Sequence, residues 1–141
     1  MTAGQRGIYL ASASPRRGEL LRQIGVAHEV RPVDIDESPW TGEAPAHCAL
    51  RLAQEKARAL WKLLPQDERR PVLAADTTVA LGASILGKPA GRAEAALMLG
   101  RLSGREHQVH TAIALLHDGG AASRVSTSSV SFRALTEIHR V

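Results

Sequence analysis

The stretch Ile8-Tyr9-Leu10-Ala11-Ser12-Ala13-Ser14-Pro15-Arg16-Arg17-Gly18-Glu19-Leu20-Leu21 decides the class of fold. Its first four residues form a short apolar run that reads as a buried strand. Ser12 to Pro15 follow as a loop, with Ser14 suited to an N-cap and Pro15 to the first helical position. A helix then runs to about Ile24: its apolar residues Leu20, Leu21 and Ile24 recur at helical spacing, and Gly25 is a natural stop. Strand, loop and helix N-terminus in that order open an α/β domain.

The rest of the chain supports the same class. Residues 26–33 alternate loosely and read as a second strand, followed by the acidic turn Asp34-Ile35-Asp36-Glu37-Ser38-Pro39. Residues 45–64 read as a long helix with Ala49, Leu52, Ala53, Leu60 and Leu63 along one side, Lys56 inside that stripe and Pro65 as its end. Residues 72–81, VLAADTTVAL, read as a central strand, apolar at both ends and interrupted by Asp76, Thr77 and Thr78. Ser84-Ile85-Leu86 reads as a short returning strand that Gly87-Lys88-Pro89 leaves as a loop, and residues 93–102 as a third helix closed by Ser103-Gly104. Residues 107–116 and 123–133 are strand-like runs around Asp118-Gly119-Gly120, a hairpin signal, and residues 136–139 look like the start of a helix.

The bulk numbers fit one domain. A chain of 141 residues, 44% hydrophobic, can close a single core without disulfides, and Tyr9, Trp40, Trp61 and Phe132 are its only aromatic residues, so Ala, Leu, Val and Ile must build that core. Lys and Arg (18) exceed Asp and Glu (14), which favours an anionic partner. No run of like charges forms a nucleic-acid tail, and few aromatics are available to stack on bases, so no nucleic-acid partner is expected. The single Cys48 fits a reducing compartment, and no segment approaches the length needed to span a bilayer. The expectation is a cytoplasmic protein with no membrane partner.

Several residues invite chemistry. Arg16 and Arg17 place positive charge in the first turn of a helix, where it opposes the macrodipole at a cost of roughly 0.3–1 kcal/mol. Two readings stand: solvated surface arginines, or a phosphate site built from their guanidinium groups and the free N–H groups of the helix start. Asp76 is the sharper signal, because a carboxylate in a central strand must be paired, bound to a cation or hydrogen-bonded at the strand's end. Asp34, Asp36 and Glu37 either supply oxygen ligands to Mg²⁺ or are simply solvated. Lys56 either reaches a phosphate or snorkels to water, and Lys88 is loop-borne, with a surface position as its default. His107 and His110, three apart in a strand, face opposite ways and do not make a zinc pair. No serine sits in a G-x-S-x-G elbow.

Taken in order, LASASPRRGELL (10–21), VDIDE (33–37), LAQEKA (52–57), LAADTTVAL (73–81), ILGKP (85–89) and MLGRLSGREHQVHTAIAL (98–115) closely resemble the Maf family. The resemblance implies an α/β fold related to that of inosine triphosphatases, a mixed sheet flanked by helices, with two lobes around a cleft. It implies a nucleoside triphosphate pyrophosphatase, a house-cleaning hydrolase that cuts between the α and β phosphates with a divalent metal, Mg or Mn. On matching positions Asp76 would be the catalytic acid-base residue and would share the metal with Glu37. Ser14, Arg16, Arg17, Lys56, Thr77 and Lys88 would bind substrate. The SPRR and ADT forms resemble the branch acting on dTTP and UTP rather than on 7-methyl-GTP.

Family members run several dozen residues past Val141, through a segment resembling KAGAYGIQG, and no glutamine follows Gln108 here. The expectation from this difference is a domain incomplete at its C-terminus, with an open second lobe, lower stability and weak turnover. The resemblance leaves a homodimer open. The competing class is a non-catalytic nucleotide-binding or septum-formation-inhibiting interaction protein, and a nucleic-acid module rests on the pI alone.

Overall fold

Strand β3 (Val72–Leu81) is the axis of the computed structural model, which describes residues 7–87 and 91–134. Around it stand β1 (Ile8–Leu10), α1 (Pro15–Gln23), β2 (His28–Val30), α2 (Pro45–Leu63), β4 (Ser84–Leu86), α3 (Arg92–Leu102), β5 (Glu106–His117) and β6 (Gly120–Ser131). A 3₁₀ turn, Gln66–Glu68, connects α2 to β3. The strands form one six-stranded mixed sheet in the order β2-β1-β3-β5-β6, with β4 also on β3. The mixed α/β class expected from the sequence is the one observed.

The two edges of β3 are used differently. Along one edge β5 runs antiparallel in unbroken register from Val72↔Leu116 to Ala80↔Gln108. Along the other, β1 pairs in parallel only at Val72 and Leu73, and β4 pairs antiparallel only at Val79 to Leu81. Between these partners the edge at residues 75–78 carries no strand among the described residues. A sheet edge that changes partner in this way leaves a crevice for a ligand, as at the switch point of other open α/β sheets.

Helix α2 covers one face. Its side chains Ala49, Ala53, Ala57 and Leu60 close a core with Tyr9, Val72, Ala74, Ala112 and Ala114. The small residues on both sides let helix and sheet approach closely, which is how a chain so poor in aromatics builds its interior. At the other end of the chain, Gly7 adopts φ +74, and a Cβ there would fall 1.8 Å from the Ala27 carbonyl oxygen, so only glycine admits the β1–β2 pairing at this point.

Several boundaries differ from the sequence reading. The strand expected over residues 26–33 is only His28–Val30, because it pairs with β1 over three residues and then leaves the sheet edge. Leu63, expected on the buried stripe of α2, is 73% exposed, and Leu64, in extended conformation just past the helix, turns inward in its place. The apolar side of α1 is also open: Leu20 and Ile24 are exposed, and the helix buries only Gly18, whose position faces His28 and Val30. The hairpin turns more tightly than expected, with His117 paired to Gly120 across Asp118-Gly119. The helix start read at residues 136–139 lies outside the described residues.

Candidate active site

The crevice beside β3 gathers side chains from three elements. Alternation along the strand puts Ala74, Asp76, Thr78 and Ala80 on the face covered by α2. Asp76 is buried, and Lys56 of α2 donates from Nζ to its Oδ1 at 3.0 Å. The same ammonium lies 3.1 Å from Glu37 Oε1, on the loop after β2, and 3.4 Å from the Ala75 carbonyl oxygen. Lys56 therefore does not snorkel: its side chain is 12% exposed and ends between two carboxylates. Asp76 does not cap a strand end either, since its backbone is paired to Ala112 in mid-strand.

The loop between β1 and α1 adds a second group. Ser12, Ser14, Arg17, Glu37 and Lys56 line a cavity of about 240 Å³. Ser14 occupies the N-cap position in extended conformation, but its hydroxyl does not cap the helix; its backbone N–H donates to Ser12 Oγ at 3.1 Å. Arg17 donates to Ser12 Oγ at 3.2 Å and to Thr77 Oγ1 at 3.4 Å. Thr77 points to the face of β3 opposite Asp76 and also meets Thr111 Oγ1 at 3.3 Å. Arg17 and Lys56 thus approach one cavity from opposite faces of the sheet. Arg16 is exposed and makes no hydrogen bond or ion pair among the described residues, and Lys88 lies outside them.

A second cavity of about 410 Å³ begins at Glu37 and Asp76 and continues between apolar walls that include Leu52, Ile85, Leu86 and Met98. Glu37 lines both cavities, the first of which carries the cations Arg17 and Lys56 with the hydroxyls of Ser12 and Ser14, while the second is walled mostly by apolar side chains beyond Asp76, Thr77 and Thr78. Such a division suits a ligand with an anionic end and a flat, less polar end. Cys48 lines the apolar cavity, and burial pushes its thiol pKa up.

The loop carrying Glu37 is held by residues that the sequence reading passed over. Arg51 of α2 is buried and uses its whole guanidinium. It donates to Glu43 Oε2 at 2.6 Å and Oε1 at 2.9 Å, to Glu55 at 2.9 and 3.0 Å, and to the Ser38 carbonyl oxygen at 3.0 Å. The Trp40 ring lies 4.2 Å from the guanidinium carbon. Glu43 also accepts from the Trp40 backbone N–H at 3.0 Å and from His47 Nδ1 at 2.6 Å. The Arg51 hydrogen bonds lower the Glu43 pKa to about 2, and Glu43 in turn raises that of Arg51. The readable signal was an arginine one position from Leu52 in the apolar stripe with Glu55 four residues on.

Asp34 and Asp36, weighed as metal ligands with Glu37, are exposed. Asp36 Oδ1 accepts the Ser38 backbone N–H at 3.0 Å, and contacts with Ser38 lower its pKa. Glu37 instead converges with Asp76 on the Lys56 ammonium. Hard oxygen donors arranged around a positive charge fit Mg²⁺ or Mn²⁺, which commonly takes one or two protein carboxylates and leaves room for phosphate oxygens.

The fold and the sequence have counterparts in known proteins. The Staphylococcus aureus Ham1 protein shares the fold, with a TM-score of 0.54 at 18% identity over 87% of this chain and 69% of that one. A dTTP/UTP pyrophosphatase of Bordetella avium is 48% identical over 139 residues, covering 94% of this chain and 69% of the relative. One from Methylobacillus flagellatus is 51% identical over 129 residues, 92% of this chain and 64% of the relative. The chain thus spans about two thirds of the length of these relatives. Among the described residues no helix is long and apolar enough to cross a membrane. The Maf-like protein family profile matches residues 7–139, from the strand that leads into the Ser12–Arg17 loop past the β5–β6 hairpin, and the chain belongs to that family.

Proposed function

We propose that this chain carries the phosphate-binding and hydrolytic centre of a nucleoside triphosphate pyrophosphatase acting on dTTP and UTP. The observation that carries the reading is the meeting of Glu37, Lys56 and Asp76 at the unpaired edge of β3, beside a cavity that Ser14 and Arg17 also line. The names of the relatives supply the substrate class. In this reading the triphosphate lies along Ser12, Ser14, Arg17 and Lys56, and the sugar and base enter the apolar cavity. Arg16, exposed on the same helix turn, folds over the outer phosphates, and Thr77 acts through its contact with Arg17.

Hydrolysis of the α–β anhydride requires a water oxygen to bond to phosphorus while the bridging P–O bond breaks and pyrophosphate departs. In this reading Asp76 takes the proton that the water gives up. Lys56 and Arg17 offset the charge that builds on the phosphate oxygens. Glu37 and Asp76 would hold a divalent cation. The chemistry such a cation supplies is further neutralisation of phosphate charge. No covalent enzyme intermediate is required.

The test is pyrophosphate release from dTTP, UTP, CTP and 7-methyl-GTP with Mg²⁺ or Mn²⁺. The expected result is turnover of dTTP and UTP that falls by roughly 10²–10⁴-fold in Asp76→Asn, the range for losing a general base. Full turnover in that variant would remove Asp76 from the mechanism. Nucleotide binding without turnover in the unaltered chain would favour a purely binding role.

A further inference from the structure

We infer that Lys56 is the resident counter-ion of the Glu37–Asp76 pair and opposes divalent-cation binding until nucleotide phosphates draw its ammonium away. The inference rests on the pyrophosphatase reading of the same site. An ammonium has three N–H donors, and at Lys56 three oxygen atoms lie within reach: Asp76 Oδ1 at 3.0 Å, Glu37 Oε1 at 3.1 Å and the Ala75 carbonyl at 3.4 Å. The lysine thus stands where a divalent cation would meet the same two carboxylates.

Charge explains why the two cations compete. Asp76 sits in mid-strand, largely out of water, and needs a positive partner whether or not a metal is present. A divalent ion arriving while Lys56 stays in place would bring like charges together beside the buried Asp76 carboxylate. Lys56 can yield, because its ammonium rides on a flexible four-carbon stem and also lines the cavity shared with Ser14 and Arg17. A phosphate in that cavity gives the ammonium a second anion and frees the carboxylates. Metal and nucleotide then favour each other's binding, and by linkage the effect is reciprocal.

The test measures Mn²⁺ binding to the nucleotide-free protein, reading free Mn²⁺ by electron paramagnetic resonance, with circular dichroism to verify folding. Lys56→Met is expected to bind Mn²⁺ more tightly than the unaltered chain by roughly fivefold or more, the lower end of typical coupling between sites. Lys56→Gln, which removes the charge but keeps hydrogen-bonding capacity, carries the same expectation and serves if Lys56→Met fails to fold. Lys56→Arg, which keeps the charge, is expected to bind no more tightly than the unaltered chain. Equal or weaker Mn²⁺ binding on removing the charge overturns the inference, as does tighter binding that persists when Glu37→Gln is added. Pyrophosphate release on the same preparations separates the two ideas: tightened Mn²⁺ binding with no turnover of any triphosphate by the unaltered chain would sink the pyrophosphatase reading and leave the counter-ion role standing.

Discussion

Arg51 and Glu43 face each other through two parallel contacts of 2.6 and 2.9 Å, with both side chains almost fully buried. The pair ties the loop that carries Glu37 to the helix that carries Lys56. Since Arg51 also holds the Ser38 carbonyl, it grips the backbone one residue from Glu37. Removing one partner strands the other charge, so Arg51→Met should lose about 3–5 kcal/mol of stability in urea denaturation. Arg51→Met combined with Glu43→Leu should recover a large part of that loss, because no unpaired buried charge remains.

The same pair sets a pH dependence. Glu43 has a folded-state pKa lowered to about 2 from its usual 4.5, chiefly by the Arg51 hydrogen bond. A carboxylate with a depressed pKa contributes stability that is complete above its unfolded value and lost as pH falls toward the folded one. Stability should therefore decline between pH 4.5 and about 2, and the decline should be shallower in Glu43→Gln. Urea midpoints measured at pH 6 and about pH 3 would check this; an unchanged slope in Glu43→Gln would assign the acid loss to other groups.

Cys48 offers a separate readout. Its side chain is 2% exposed and burial raises its thiol pKa, so little reactive thiolate forms near neutral pH. A disulfide reagent such as dithiobis-nitrobenzoate should label it slowly in the folded protein and rapidly in urea. Faster labelling in Arg51→Met at low urea would report loosening of the region around the clamp.

The two arginines of the α1 turn should be unequal. Arg17 is already held by Ser12 and Thr77, so it meets a ligand with little loss of side-chain freedom, whereas Arg16 is exposed with no such partner among the described residues. Losing a hydrogen bond to a charged group is worth about 1.5–3 kcal/mol, on the order of ten- to a hundredfold in kcat/KM. Arg17→Ala should show that loss on dTTP, with Arg16→Ala clearly milder. An equal or larger effect at Arg16 would mean that the loop rearranges when nucleotide binds.

Local chemistry made much of the fold legible. Pro15 at a helix start, Pro65 past a helix end and Asp118-Gly119 between alternating runs each restrict φ and ψ within a few residues, so α1, α2 and the β5–β6 hairpin could be read directly. Residues 26–33 failed for the opposite reason: a strand's length is set by how far its neighbour extends, and β1 offers β2 only three pairing positions. Asp76 stood out because a carboxylate inside an apolar strand violates its surroundings. Arg51 did not, because a single arginine in an amphipathic helix resembles an ordinary boundary residue until the loop from Ser38 to Glu43 is seen folded over it.

By itself the sequence determined the order of the elements and the residue types able to hold phosphate and a cation, since these follow from backbone restriction and charge carried locally. Only the tertiary structure decided which of them meet. Lys56 and Asp76 are twenty residues apart, and Glu37 lies on a third segment, yet one ammonium touches both carboxylates. That meeting depends on α2 lying across β3 and on Arg51 holding the acidic loop down. The two basic turn residues separated for the same reason: the orientation of α1 against the sheet aims Arg17 at Ser12 and Thr77 and leaves Arg16 in solvent.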